Sequence, residues 1–228
     1  MTIARKKRIL ILSYSFSGQT SCLIRRLKTG LEKNGHRVLK ERIEPVVHLK
    51  FPTNSIGACL IMMIRTLFRR RNPICPLSEQ VNQHFDLIIL AGPTWSYNPS
   101  GPILYLIDHY GKKLFGGQTV LPLISCRGYW RMHQWGLKAM LRRYGAHIPN
   151  SLIFSHPCHE PWRTIGVFMK IAGKAPEHSA FLRGHYKKFG HSQAQQDEAE
   201  RLGILIGEAL RRNEDLSTLP LHTPIALP

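Results

Sequence analysis

The most constraining feature of this chain is one βα turn near its start, Arg8-Ile-Leu-Ile-Leu-Ser13-Tyr-Ser15-Phe-Ser17-Gly18-Gln19-Thr20-Ser21. The apolar run Ile9 to Leu12 has the length of a strand buried on both faces, which belongs in a parallel sheet. It breaks into hydroxyl side chains and a glycine. A helical pattern follows, with Leu23, Ile24, Leu27 and Leu31 on one face. Small residues let backbone N–H groups approach an anion, and a helix N-terminus favours negative charge. Ser15, Ser17, Thr20 and Ser21 add hydroxyl donors, and the loop itself carries no cation. Two readings stand here: a polar turn of no special purpose, or a phosphate cradle made of dipoles and hydroxyls.

The rest of the chain repeats the alternation. Gly35 stops the first helix, and Arg37 to Ile43 is a second strand. Phe85 to Ala91 is apolar throughout and reads as a central strand. Gln118 to Ser125 is the fourth, with Pro122 weakening it or marking a bulge, and Ile148 to Phe154 is the fifth. Helices are expected from Gly101 to Tyr110, around Leu137, Met140, Leu141 and Tyr144, and from Gln193 to Arg212. This predicts an α/β fold, a doubly wound five-stranded parallel sheet in the order 2-1-3-4-5. One domain is expected over residues 1–212, with insertions at about 44–80 and 156–178. The tail, 213–228, holds three prolines and is expected to be loosely ordered.

In such sheets ligands bind beyond the C-terminal strand ends, at the point where the strand order reverses. Three loops fall there: Ser15 to Ser21, then Gly92-Pro93-Thr94-Trp95-Ser96-Tyr97-Asn98-Pro99, then Cys126-Arg127-Gly128-Tyr129-Trp130.

Charge narrows the partners. The chain has 32 basic against 14 acidic residues, a net charge of +18. An excess of that size attracts polyanions. No aromatic–basic interleaving supports nucleic acid, so an acidic carrier protein or an anionic membrane surface is the expected partner. The five scattered cysteines form no framework and suit a reducing, cytoplasmic compartment. No leader pattern and no apolar segment of spanning length is read. His156-Pro157-Cys158-His159-Glu160 gathers metal-binding side chains, but too closely for a tetrahedral site, so no metal is expected. Cys126 reads as a core thiol.

The residues resemble the flavodoxin superfamily. Ser15-x-Ser17-Gly18-x-Thr20 matches its phosphate-loop pattern and Pro93-Thr94-Trp95 its second loop. The resemblance runs from about residue 8 to 212. It implies FMN, with Ser15, Ser17, Gly18, Gln19, Thr20 and Ser21 around the phosphate. Pro93, Thr94, Trp95, Ser96 and Tyr97 would flank the isoalloxazine, and Cys126, Arg127, Gly128 and Tyr129 its other side and pyrimidine edge. A narrower resemblance links Phe51-Pro52, Asn98-Pro99-Ser100-Gly101-Pro102 and Cys126-Arg127-Gly128-Tyr129-Trp130 to the flavodoxin-like aromatase partners of dialkylresorcinol-type synthases.

The resemblance therefore implies an FMN-dependent oxidoreductase. It would move a hydride between flavin and an organic, aromatic or quinoid small-molecule substrate, with NAD(P)H as a transient reductant. No residue is singled out as catalytic, since the flavin carries the chemistry; His133 and His159 are the candidate proton donors. The alternatives are an electron carrier without its own substrate and a flavin-free binding module for an acidic partner. Electron-carrier flavodoxins are usually acidic, so the charge speaks against the carrier. The insertions could supply walls around a substrate. Within the first, Ile56 to Phe68, closed by Arg69-Arg70-Arg71, reads as an interfacial membrane helix, a flavin cover or a homodimer contact.

Overall fold

A computed structural model describes residues 6–53 and 55–228. Arg5, the first residue of the basic run Arg5-Lys6-Lys7-Arg8, lies outside the described residues. The elements run β1 (Arg8–Ser13), α1 (Gln19–Lys33), β2 (Arg37–Arg42), α2 (Ile56–Leu67), β3 (Leu87–Trp95), β4 (Asn98–Pro99), α3 (Gly101–Phe115), β5 (Val120–Cys126), α4 (Arg131–Arg143), β6 (Leu152–Ser155), α5 (Trp162–Ile171) and α6 (Gln193–Arg212).

Five strands form the parallel sheet β2-β1-β3-β5-β6, which is the expected order 2-1-3-4-5. β4 adds a two-residue antiparallel piece on β3. The buried strands are the apolar ones. Ile9 and Ile11 face a core with α1 and α6, whereas Leu10 and Leu12 face one with α3 and α4. This period of two sends successive side chains to opposite layers. β2, at the edge, is charged and half-exposed.

α1 and α6 are packed in backbone contact. A Cβ on Gly30 would sit 2.1 Å from the Glu200 carbonyl oxygen, and one on Gly203 would sit 2.3 Å from that of Leu27. Ion pairs rim the contact, Arg26 to Glu200 at 2.9 Å and Lys33 to Glu200 at 2.5 Å. A capping box, Ser192 with Gln195, starts α6. Such caps typically stabilise by about 1 kcal/mol.

Three expectations are corrected. β3 does not stop at Ala91 but continues to Trp95 and turns back through Ser96-Tyr97 into β4. β6 begins at Leu152 rather than Ile148. Val120 donates to His147 O, but Pro122 has no N–H to give, and pairing resumes only at Leu123 with Leu152. The tail is not loose. Leu221 and Ala226 are 1% and 0% exposed, and Ser155 donates its N–H to Ala226 O. Asn150 donates to the carbonyls of Leu216 and Leu219. The tail thus covers the edge of β6, and Leu216 and Leu221 join the α1/α6 core. Its prolines limit regular structure without preventing burial.

Candidate active site

The loops after β1, β3 and β5 meet at one sheet edge, and both insertions close over them. In the first loop Gly18 is left-handed, φ 84°, and α1 begins at Gln19 without a side-chain cap at Gly18. Ser15 takes over part of that task, its Oγ accepting the Ser21 N–H at 3.3 Å. The Ser15 hydroxyl proton is left for another acceptor. Among the described hydrogen bonds, the amides of Ser17, Gly18, Gln19 and Thr20 have no protein partner. Amides at a helix start, with hydroxyls and no carboxylate, form an anion cradle.

A strap at residues 189–191, beyond the second insertion, crosses this loop. Gln19 lies flat on Gly190, where a Cβ would come within 1.9 Å of its Oε1. That oxygen accepts the His191 N–H at 3.0 Å. Gln19 is thus engaged in holding the strap. His191 Nδ1 lies 3.3 Å from Gln195 Oε1, and its Nε2 lies 2.8 Å from Ser125 Oγ. The Gln195 amide nitrogen donates to Ser155 O at 2.7 Å, which orients its oxygen toward the imidazole. His191 therefore carries its proton on Nδ1 and accepts from Ser125. His156 accepts the Cys158 N–H at Nδ1 (3.1 Å) and stacks on Tyr186. Burial lowers the pKa of both histidines to about 4, so both are neutral at pH 7.

Aromatic rings roof the loop in a file. Trp95 meets Tyr14 and Phe16 edge-on at 5.7 and 5.3 Å. Phe16 meets Phe51 edge-on, and Phe51 stacks on Phe189 at 5.6 Å. Trp95 is 9% exposed and belongs to the core on the α3/α4 face, with its border on the cavities described below.

The β3–β4 turn places Ser96 and Tyr97 at φ 43° and 67°, a left-handed pair usually given to Asn-Gly. Two such non-glycine residues cost of order 1–3 kcal/mol each. The turn is clasped by α2. Ser96 Oγ lies 2.7 Å from Thr66 Oγ1 and 3.0 Å from Met63 O, and Asn98 Nδ2 donates to the carbonyls of Thr66 and Leu67. From the other side, His133 Nδ1 meets Thr94 Oγ1.

Two cavities join here. The smaller, about 120 Å³, lies at the cradle between Ser17, Thr20, Thr94, Trp95, Ser125, Arg127 and the strap. The larger, about 540 Å³, lies between α2 and α5, and shares Thr94, Trp95, Arg127, Val167 and Ile171 with the first. Its walls include Leu60, Met63, Leu67, Val167 and Phe168. The insertions meet directly, Thr53 donating both N–H and hydroxyl to Ile171 O. The Arg127 Cζ lies over the rings of Tyr129 and Phe168, 5.1 and 4.8 Å from their centres. Tyr129 in turn meets Tyr97 edge-on.

The sequence-predicted residues are therefore gathered, with differences. Ser17, Gln19, Thr20, Pro93, Thr94, Trp95, Cys126 and Arg127 border the small cavity. Ser96, Tyr97 and Tyr129 border the large one. Ser15, Gly18 and Ser21 face a separate polar hollow on the far side of the loop, beside Arg42 and His48. Gly128 borders none of these; its Cα lies under the Arg163 guanidinium. Burial pushes the Cys126 thiol up to about 12. His133 is held neutral by burial, at about 3, and His159 is exposed. In the run 156–160, Cys158 Sγ turns to His185 O while Glu160 binds Arg163 and Thr164. Among the described residues no group of three or more metal-ligating side chains could hold an ion. Sequence reasoning missed His191 and Phe189, and named His156 and Phe51 without a place at the cradle. Two left a signal: His156 directly follows the last strand, and His191 directly precedes the Ser192 cap of α6.

No family model and no curated protein matches the sequence. Solved structures do. A flavoprotein in complex with FMN from Lactobacillus acidophilus NCFM superposes with a TM-score of 0.50 at 20% identity, over 64% of this chain and 91% of its own. The fold is flavodoxin-like. A flavodoxin from the domain Archaea gives 0.48 at 13% identity, over 90% and 99%. A flavodoxin, WrbA-like protein from Agrobacterium tumefaciens gives 0.48 at 13%, over 92% and 100%. Around this sheet, α2 and α5 form the walls of the large cavity and the strap borders the small one.

Proposed function

We propose that this protein is an FMN-dependent oxidoreductase acting on a small organic substrate, with NAD(P)H as a transient reductant. The observation that carries the reading is the cradle of unpartnered amides at Ser17 to Thr20, opening into an aromatic-walled cavity. The residues fit the group. Ser17, Thr20 and the α1 amides suit a phosphate, and the loops at Thr94–Tyr97 and Arg127–Tyr129 suit a flat heteroaromatic ring. When bound, FMN would supply hydride transfer.

The chain's own residues do the rest. The Gln19–His191 clasp holds the strap over the cradle. His133 holds Thr94, and Thr66 holds Ser96, so the β3 end is fixed from both sides. Neutral His156 and His191 put no charge beside the cradle. The insertions enclose a space that a simple carrier does not need, which favours an enzyme over a shuttle. The narrower resemblance to aromatase partners would make the reaction the oxidation of a ring.

For a surface partner, the reading favours an anionic bilayer. Ile56, Leu60, Ile61, Ile64, Leu67 and Phe68 of α2 and its end are 52–78% exposed, beside Arg65, Arg70 and Arg71. Apolar residues with flanking cations suit the interface of such a membrane. A second copy of a chain at +18 would be repelled. Among the described residues no helix is long and apolar enough to cross a membrane.

The test is an absorption spectrum of the purified protein, before and after titration with FMN. A flavin spectrum, with FMN released on denaturation, is expected. A colourless protein that leaves added FMN free would overturn the reading.

A further inference from the structure

The large cavity has a chemistry of its own. Its lining is apolar on the α2 and α5 walls, and among the described residues Arg127 is the one charged residue bordering it. No carboxylate is paired with Arg127 among the described ion pairs. Its Nη1 is shut away from water without a hydrogen-bond partner. Its Cζ lies over the rings of both Tyr129 and Phe168. Stacking of this kind holds a guanidinium plane in place but satisfies none of its N–H donors. The neighbouring arginine, Arg163, differs: Glu160 accepts from it at 3.1 Å. One of these two cations is neutralised by the fold, and the other is left facing a cavity of ligand size, about 540 Å³.

We infer that the large cavity binds an apolar carboxylate, with the carboxylate on Arg127 and the hydrocarbon between α2 and α5. A guanidinium fork matches a carboxylate in geometry and charge. Met62, Met63 and Ile64 on one side, and Val167, Phe168 and Ile171 on the other, offer an apolar bed for an alkyl or aryl-alkyl chain. The inference names the substrate class of the proposed flavin site and rests on that reading for its meaning. The binding itself does not require flavin.

The test compares decanoate with decanol on the full chain, by calorimetry and by Trp fluorescence, with FMN titrated separately. The wild type is expected to bind decanoate at least about tenfold more tightly than decanol, the size of a charge-assisted hydrogen bond. Arg127→Gln should remove that preference while leaving decanol binding in place. Met63→Trp, which fills the bed, should weaken both probes together. Equal affinity of the wild type for the two probes would overturn the inference. So would a decanoate preference that survives undiminished in R127Q. If decanoate binds with the expected preference but FMN does not bind, the flavin reading falls and the carboxylate site remains.

Discussion

His133 Nδ1 lies 2.7 Å from Thr94 Oγ1, and the histidine is 2% exposed. An imidazole buried that deeply cannot hold a charge without a partner. His133 stands at about 3, and His156 and His191 stand at about 4, against an ordinary 6.5; burial is the largest cause in each case. The unfolded chain therefore binds more protons than the folded one below pH 6.5, and stability falls as the pH drops from there toward 4. Above about pH 5 most carboxylates are still ionised, so the upper part of that window belongs to the histidines. Thermal midpoints measured from pH 7 to 5 should decline steadily, and less steeply in His191→Asn. A flat profile in the wild type would contradict the buried neutral imidazoles.

Ser17 is half-exposed and borders the cradle. Replacing it with glutamate puts a carboxylate where a phosphate would lie. FMN affinity should fall by more than about tenfold, as like charges at contact distance require. The thermal midpoint should change little, because a surface site away from packing contributes within about 0.5 kcal/mol. Fluorescence quenching of added FMN reads the first effect and a melting curve the second. Undiminished affinity in Ser17→Glu would remove the cradle from the account.

Leu221 and Leu60 are both leucines near the surface by sequence, yet they are 1% and 54% exposed. Leu221→Ala should cost about 2–5 kcal/mol, since it opens a cavity in the α1/α6 core. Leu60→Ala should leave stability almost unchanged. Urea denaturation of both variants separates a docked tail from a loose one.

The exposed apolar face of α2 should bring the protein to vesicles containing phosphatidylglycerol. Flotation with such vesicles should exceed that with neutral phosphatidylcholine, and should drop at about 1 M salt, where screening acts within about 3 Å. Ile61→Ser with Ile64→Ser should reduce the association without moving the melting curve. Equal flotation with both vesicle types would remove the charge argument.

The fold was legible because a parallel sheet buried on both faces leaves few ways to write its strands. Ile9 to Leu12, Leu87 to Ala91 and Val120 to Ser125 are apolar on both faces, and Gly35 and Gly145 close the helices between them. The three loops followed from the strand ends. The remainder depends on contacts distant in sequence, which have no period to read. Gln19 and His191 touch across a separation of 172 residues. Trp95 was expected beside a flavin ring. Its enclosure by Tyr14 and Phe16 depends on how two separate loops tilt toward each other. Pro122 marked a real lapse in pairing, but on the neighbouring strand, which starts late as a result.

The clasp between Asn98 and the last carbonyls of α2 couples two parts that sequence keeps 31 residues apart. Met63 and Thr66, which hold Ser96, also form part of the wall opposite α5. α2 therefore cannot swing aside to admit a molecule while the turn at Ser96-Tyr97 stays still. The wall of the large cavity and the end of β3 are thus a single mechanical piece, joined through Ser96 and Asn98.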